Sequence, residues 1–293
     1  MSISRVTVGI DHSETSTAAV QWAAELANAS ELPLRVVHAW QIPYIAFAPE
    51  MMGPLPDEAL LREWAEEFVA KQVAELGIDE AERVIVHGSA GAHMAEESDD
   101  DCLVVVGRTG RGAKVMLARI VDGLLGSTAR YLVHNADGPV AVVPSDSRWT
   151  TSPRVIVGVD GTTASLAALR WAVESLPADA KITALRYIIP WVSDPLVPVD
   201  NSFNPTLVAN AEAEVAKWVD EVVDASSRPG RKVRVQADIG AASWALTTAS
   251  RDADMVVVGH RDRSVLATRL LGSVADHTVR HSHVPVIVVP EPD

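Results

Sequence analysis

Two glycine-bearing turns follow apolar runs in this chain, and they are the first candidates for chemistry. Val104-Val-Val-Gly107 continues as Arg-Thr-Gly110, and Gly126-Ser127-Thr128 stands further on. Val256-Val-Val-Gly259 is followed by Gly272-Ser273-Val274. Glycine lets backbone approach a phosphate closely and turns its N–H groups into a nest. A Gly-Ser helix start adds free N–H groups and a favourable dipole. A tight turn plus a serine N-cap explains any single pair equally well. The arrangement occurs twice, each time at the end of an apolar strand, and that repetition favours ligand binding.

Asp11 and Asp160 end the runs Val6-Thr-Val-Gly-Ile and Val155-Ile-Val-Gly-Val. A carboxylate there either caps the following helix or meets a ligand hydroxyl or a metal ion, and the sequence leaves both readings open. No G-x-x-x-x-G-K-[ST] loop and no G-x-S-x-G elbow occurs. His277, His281 and His283 lie close in sequence but lack further ligands at metal spacing. Trp22 and Trp171 occupy matching helix positions and read as packing residues, and Cys102 as an inert core thiol.

These candidates sit in an internal duplication. Val6 to Asp11 matches Val155 to Asp160, and Trp22 matches Trp171, both 149 residues apart. Gly107 matches Gly259, 152 apart. Gly126-Ser127 matches Gly272-Ser273 and Pro139–Pro144 matches Pro285–Pro290, both 146 apart. The expected domains are 1–146 and 152–293, joined by the polar stretch Ser145 to Pro153. Each copy alternates short apolar strands with helical patterns. In the first, strands are expected at Val6–Ile10, Leu34–Ala39, Arg83–His87, Leu103–Val106 and Val140–Val143. Helices are expected at Thr17–Asn28, Asp57–Leu76 (through Leu60, Leu61, Trp64, Phe68 and Val73), Ala90–Ser98 and Ser127–His134. Residues 41 to 56 hold four prolines and read as a loop. The pattern predicts an α/β fold: two tandem doubly wound domains with helices on both faces of a largely parallel sheet. Ligands in such sheets bind beyond the C-terminal strand ends, where Asp11, Gly107, Asp160 and Gly259 fall.

The chain has 293 residues, 48% hydrophobic and 22% charged, which suits two globular domains. A net charge of -14 argues against a nucleic-acid partner held through phosphates. A single cysteine and the absence of a signal-like segment or a bilayer-length apolar run give the expectation of a cytoplasmic protein without membrane association.

These motifs resemble the ATP-binding branch of the universal stress protein family, over nearly the whole chain. The family pattern is G-x2-G-x9-G-[ST], with an Asp after the first strand. The resemblance implies a five-stranded sheet per domain, ordered 3-2-1-4-5, with the two domains paired antiparallel through their last strands. It implies ATP, with or without Mg²⁺, at Asp11, Ala39, Gly107, Gly110, Gly126, Ser127 and Thr128. In the second copy it implies Asp160, Tyr187, Gly259, Gly272, Ser273 and Val274. Ala39 and Tyr187 would read adenine through backbone. Both copies depart from the pattern. Fifteen residues separate Gly110 from Gly126, six more than the family's nine, and the extra residues either loop out or cover the pocket. The second copy has Asp262 at the second glycine. A carboxylate about 4 Å from a phosphate charge costs roughly 4 kcal/mol at an effective dielectric near 20. The first copy is therefore the favoured site. The functional expectation is a nucleotide-binding stress-response regulator with little or no catalysis. A nucleotide-free scaffold and a slow Mg²⁺-dependent ATPase are the alternatives, and a homodimer stays open.

Overall fold

The computed structural model describes residues 3–41, 57–110, 123–189, 205–260 and 271–292. In the first copy the elements are β1 (Arg5–Gly9), α1 (Glu14–Ala29), β2 (Leu34–Trp40), α2 (Glu58–Glu75), β3 (Glu82–His87), α3 (Ala90–Glu96), β4 (Cys102–Gly107), α4 (Ser127–Asn135) and β5 (Val140–Val143). The second copy gives β6 (Arg154–Gly158), α5 (Thr163–Ser175), β7 (Lys181–Ile188), α6 (Pro205–Asp224), β8 (Val233–Ile239), α7 (Ala242–Ala249), β9 (Met255–His260), α8 (Ser273–His281) and β10 (Val286–Pro290). The proline-rich expectation over 41 to 56 falls outside the described residues from 42 onward. So do residues 111–122, which make up most of the long Gly110–Gly126 spacing, and Asp262 with its neighbours.

Among the described residues, ten strands form one sheet in the order β3-β2-β1-β4-β5-β10-β9-β6-β7-β8. Each half is parallel and runs 3-2-1-4-5. The halves meet antiparallel through β5 and β10, with Ala141 opposite Ile287. The 146-residue offset makes those two residues equivalent, so a pseudo-twofold axis passes through the pair.

Alternation along the strands sends neighbouring residues to opposite faces. Val6, Val8, Leu103, Val105, Ala141 and Ile287 pack under α1, α2, α5 and α6. Val104, Val106, Val140, Val142, Val286 and Val288 pack under α3, α4, α7 and α8. Each core layer continues across the seam between the copies. Trp22 and Trp171 are buried on the first face, as their matching positions suggest. Cys102 is buried, and burial pushes its thiol above the ordinary range.

Two expectations need correction. The expected apolar face of α2 included Leu60 and Trp64, but both are exposed, and the helix buries Ala65 and Val69 beside the expected Val73. Those three fall at i, i+4 and i+8 and so share one stripe. Large size misled the reading, because a small alanine sits where the helix touches the sheet. The join between the copies is also not a bare linker. The Trp149 ring meets Trp22 edge-on at 5.6 Å, and its backbone N–H donates to Glu25 at 3.0 Å. Arg148 donates to Gln21 at 2.9 Å.

Candidate functional site

At the C-terminal end of β1 the chain must turn sharply into α1. The Ser13 backbone N–H donates to Asp11 Oδ1 at 2.8 Å, and the Ser13 hydroxyl caps α1 by accepting from Ser16 N–H at 3.2 Å. The second copy repeats the device. Thr162 donates to Asp160 Oδ1 from its backbone at 3.1 Å and from its hydroxyl at 2.6 Å. Thr162 in turn caps α5 by accepting from Ser165 N–H. The aspartates are therefore not the helix caps. Each braces the turn before the cap with one oxygen. The repeated Ser13/Ser16 and Thr162/Ser165 pairs signal this arrangement in the sequence.

Gly107 and Gly259 owe their identity first to helix packing. A methyl group at Gly107 would lie 2.7 Å from the Thr15 carbonyl carbon. At Gly259 it would lie 2.2 Å from the Ala164 carbonyl oxygen. The first turn of α1 or α5 crosses directly over the strand end, and only glycine admits it. Gly110 is placed differently. A methyl there would meet the Asp11 carboxylate at 3.0 Å. Gly126 closes the cradle by donating its N–H to the Arg108 carbonyl at 2.8 Å.

Helix α4 starts at this closure. Gly126 is its N-cap and supplies no side-chain oxygen. The first intrahelical bond runs from Arg130 N–H to Gly126 O, so the N–H groups of Ser127, Thr128 and Ala129 have no partner within the helix. Helices α1, α2, α3 and α5 are capped by Ser13, Asp57, Ser89 and Thr162. Helix α8 repeats the bare start, with Gly272 as N-cap.

Two cavities result. The first, about 410 Å³, is lined by Asp11, Ser13, Ser16, Gly107, Thr109, Gly110, Gly126, Ser127 and Thr128, with Leu124 and Leu125 at one side. The second, about 210 Å³, gathers Asp160, Tyr187, Gly259, Gly272, Ser273 and Val274 with Leu185, Leu246 and Val258. The expected residues of each copy thus converge, with one exception. Ala39 is half-buried in β2 opposite Val86 and does not line the first cavity, whereas its counterpart Tyr187 lines the second. Burial, followed by the nearby Asp238, raises the Tyr187 phenol above its ordinary range. Thr15, which donates its hydroxyl to the Thr109 carbonyl, and Thr109 itself were not singled out from sequence. Among the described residues no three His, Cys, Asp or Glu side chains gather as a metal site.

The family model for the universal stress protein family matches residues 2–144 and 152–290. The chain belongs to the universal stress protein family. A universal stress protein of Mycolicibacterium smegmatis is 30% identical over 295 residues, covering 97% of this chain and 96% of that protein. One from Mycobacterium tuberculosis strain H37Rv is 32% identical over 304 residues, with 97% and 96% covered. The crystal structure of a universal stress protein from Archaeoglobus fulgidus superimposes with a TM-score of 0.67 at 18% identity, covering all of both chains. A putative universal stress protein from Pseudomonas aeruginosa gives a TM-score of 0.57 at 15% identity, covering 98% and 93%. The tandem α/β architecture of this universal stress protein is therefore shared along full-length chains. No helix among the described residues is long and apolar enough to cross a membrane.

Proposed function

We propose that this universal stress protein is a cytoplasmic regulator that binds an adenine nucleotide, ATP foremost, in the first cavity. The observation that carries the reading is the bare N-terminus of α4, facing a glycine turn across a cavity that holds Asp11. Three N–H groups without helix partners, together with the helix dipole, favour an anion by about 0.3–2 kcal/mol before any specific contact. The hydroxyls of Ser127 and Thr128 extend the donor set. Asp11 is the one charged residue among the described lining residues. Its carboxylate, held in place by the Ser13 N–H, is the group suited to a ribose hydroxyl or a Mg²⁺ ion carried by the phosphates. A lone carboxylate offers no paired acid and base, so the function is binding, with little or no hydrolysis.

The second cavity has about half the volume, and Val274 replaces the Thr128 hydroxyl there. It is the weaker phosphate site of the two domains, proposed as 1–146 and 152–293. Isothermal titration with ATP and Mg²⁺ tests the assignment. The parent protein binds one equivalent, and Asp11→Ala or Thr128→Val weakens that binding by about three- to tenfold, one hydrogen bond's worth. No heat of binding at millimolar ATP refutes the proposal. A parent that binds equally well after either substitution moves the site elsewhere.

A further inference from the structure

Two of the short segments that wall the first cavity are fastened to the other domain. Arg108 lies inside the Gly107–Gly110 turn, yet its guanidinium leaves the cavity. Its Nη1 donates to the Ser282 carbonyl at 2.8 Å and to the Arg280 carbonyl at 3.5 Å, at the C-terminal end of α8. A guanidinium on those carbonyls is favoured by the helix dipole as well as by the hydrogen bonds. The second segment is Gly123–Leu125, which leads into the Gly126 cap and contributes Leu124 and Leu125 to the cavity wall. Arg280 Nη1 donates to the Gly123 carbonyl at 3.3 Å. Gly123 has φ +81°, and a methyl there would lie 2.4 Å from His281 Cε1. Only glycine fits against that imidazole with that backbone. Arg280 is itself steadied by Asp276, one helical turn earlier, at 2.9 Å. The two domains do not repeat the arrangement. The residue equivalent to Arg108 is His260, buried with its ring 6.4 Å from His134 on α4. A buried imidazole takes the place of the guanidinium anchored on carbonyls.

We propose that the last turn of α8, through Arg280, His281 and the Ser282 carbonyl, is a positioning element for the first cavity's phosphate cradle. The proposal rests on the nucleotide reading above and says what makes that cradle rigid. A glycine-bearing turn loses much conformational freedom when it closes on a ligand. Anchoring it in advance to a folded helix removes that loss from the binding step. The ligand class is a nucleoside polyphosphate, because the fastened segments are those beside the α4 N-terminus. The segment Gly123–Leu125, which enters the Gly126 cap, thus docks the cavity wall on the second domain.

The experiment uses the full chain, with ATP and adenosine titrated separately by calorimetry. Arg108→Gln, Arg280→Gln and the charge-neutral Gly123→Ala each weaken ATP by about tenfold, the scale of one charge-assisted hydrogen bond or its steric equivalent. Adenosine, which lacks phosphates, binds as in the parent. Arg108→Lys recovers part of the loss by keeping a cation on the same carbonyls. A parent that binds ATP alongside three variants of equal affinity overturns this proposal alone. An equal loss for ATP and adenosine also overturns it, since that marks a general structural defect. A parent that binds neither ligand overturns the nucleotide reading and this proposal together. Should Gly123→Ala lose the native circular-dichroism spectrum, the partly exposed Arg280→Gln decides the matter.

Discussion

Alanine at the strand-end glycines should damage the fold in a graded way, before any ligand is considered. At Gly259 the added methyl meets the Ala164 carbonyl oxygen at 2.2 Å and its carbon at 2.4 Å. At Gly107 the nearest atoms are the Thr15 carbonyl carbon at 2.7 Å and oxygen at 2.8 Å. Both sets are backbone, so relief requires the first turn of α5 or α1 to lift off the sheet. An ordinary carbon–carbon contact is about 3.5–4.0 Å, so the lift is on the order of 1 Å or more. Overpacking of this kind costs about 1–3 kcal/mol and occasionally more. For a unit of this size that lowers the melting temperature by roughly 2–12 °C. Gly259→Ala belongs at the severe end and Gly107→Ala lower. Gly110→Ala meets only the end of the Asp11 side chain at 3.0 Å, so its melting temperature stays close to the parent's. Thermal unfolding of the ligand-free protein by far-ultraviolet circular dichroism gives the ranking. A Gly259→Ala protein that melts with the parent, or above Gly107→Ala, refutes the reasoning.

Three further outcomes are expected. The Arg154 side-chain hydrogen bond holds the Asp254 carboxyl below its ordinary value of 3.8, so the stabilisation is present above that pH and fades as pH falls through the folded value; Asp254→Asn should flatten the melting temperature between pH 5 and 3 (about the span over which a carboxylate titrates). Burial, then the neighbouring His281, lowers the His277 imidazole below 6.5, so stability is full above that pH and declines on acidification toward the folded value. His277→Gln should remove that component of the pH profile. Trp149→Ala deletes the edge-on contact with Trp22 and should cost about 1–2 kcal/mol in urea unfolding, with aromatic pairing and lost area combined.

The duplication and the strand sequence were legible because apolar runs such as Val104–Val106 and Val256–Val258 repeat with glycine punctuation. The 3-2-1-4-5 order and the pairing of last strands came from the family resemblance; no residue pattern in a strand names its neighbour. The convergence of Asp11, Gly107, Gly110 and Gly126 was legible because all four sit at C-terminal strand ends or at a helix start. What the glycines are for was not. Gly107 looks like Gly110 in a sequence, but one answers to a crossing helix and the other faces a carboxylate. Arg108 was invisible as an anchor because its partners, 172 and 174 residues away, are main-chain carbonyls that leave no side-chain signature. Leu60 and Trp64 misled because residue size is a poor guide to which stripe of a helix meets the sheet.

The seam at Ala141 and Ile287 has a consequence for how such a chain can change. In an assembly of two identical chains, a residue on the twofold axis faces its own copy. Alanine would then face alanine and leave a hole, or isoleucine would face isoleucine and crowd the layer. A fused chain escapes that constraint, and here a small residue opposes a large one. The difference lies at that one position, since the flanking pairs join valine to valine, and a second β5 would set another alanine opposite Ala141. Covalent duplication thus gave the two halves licence to specialise, at the seam as well as in the cavities, while keeping each half's correct neighbour always at hand.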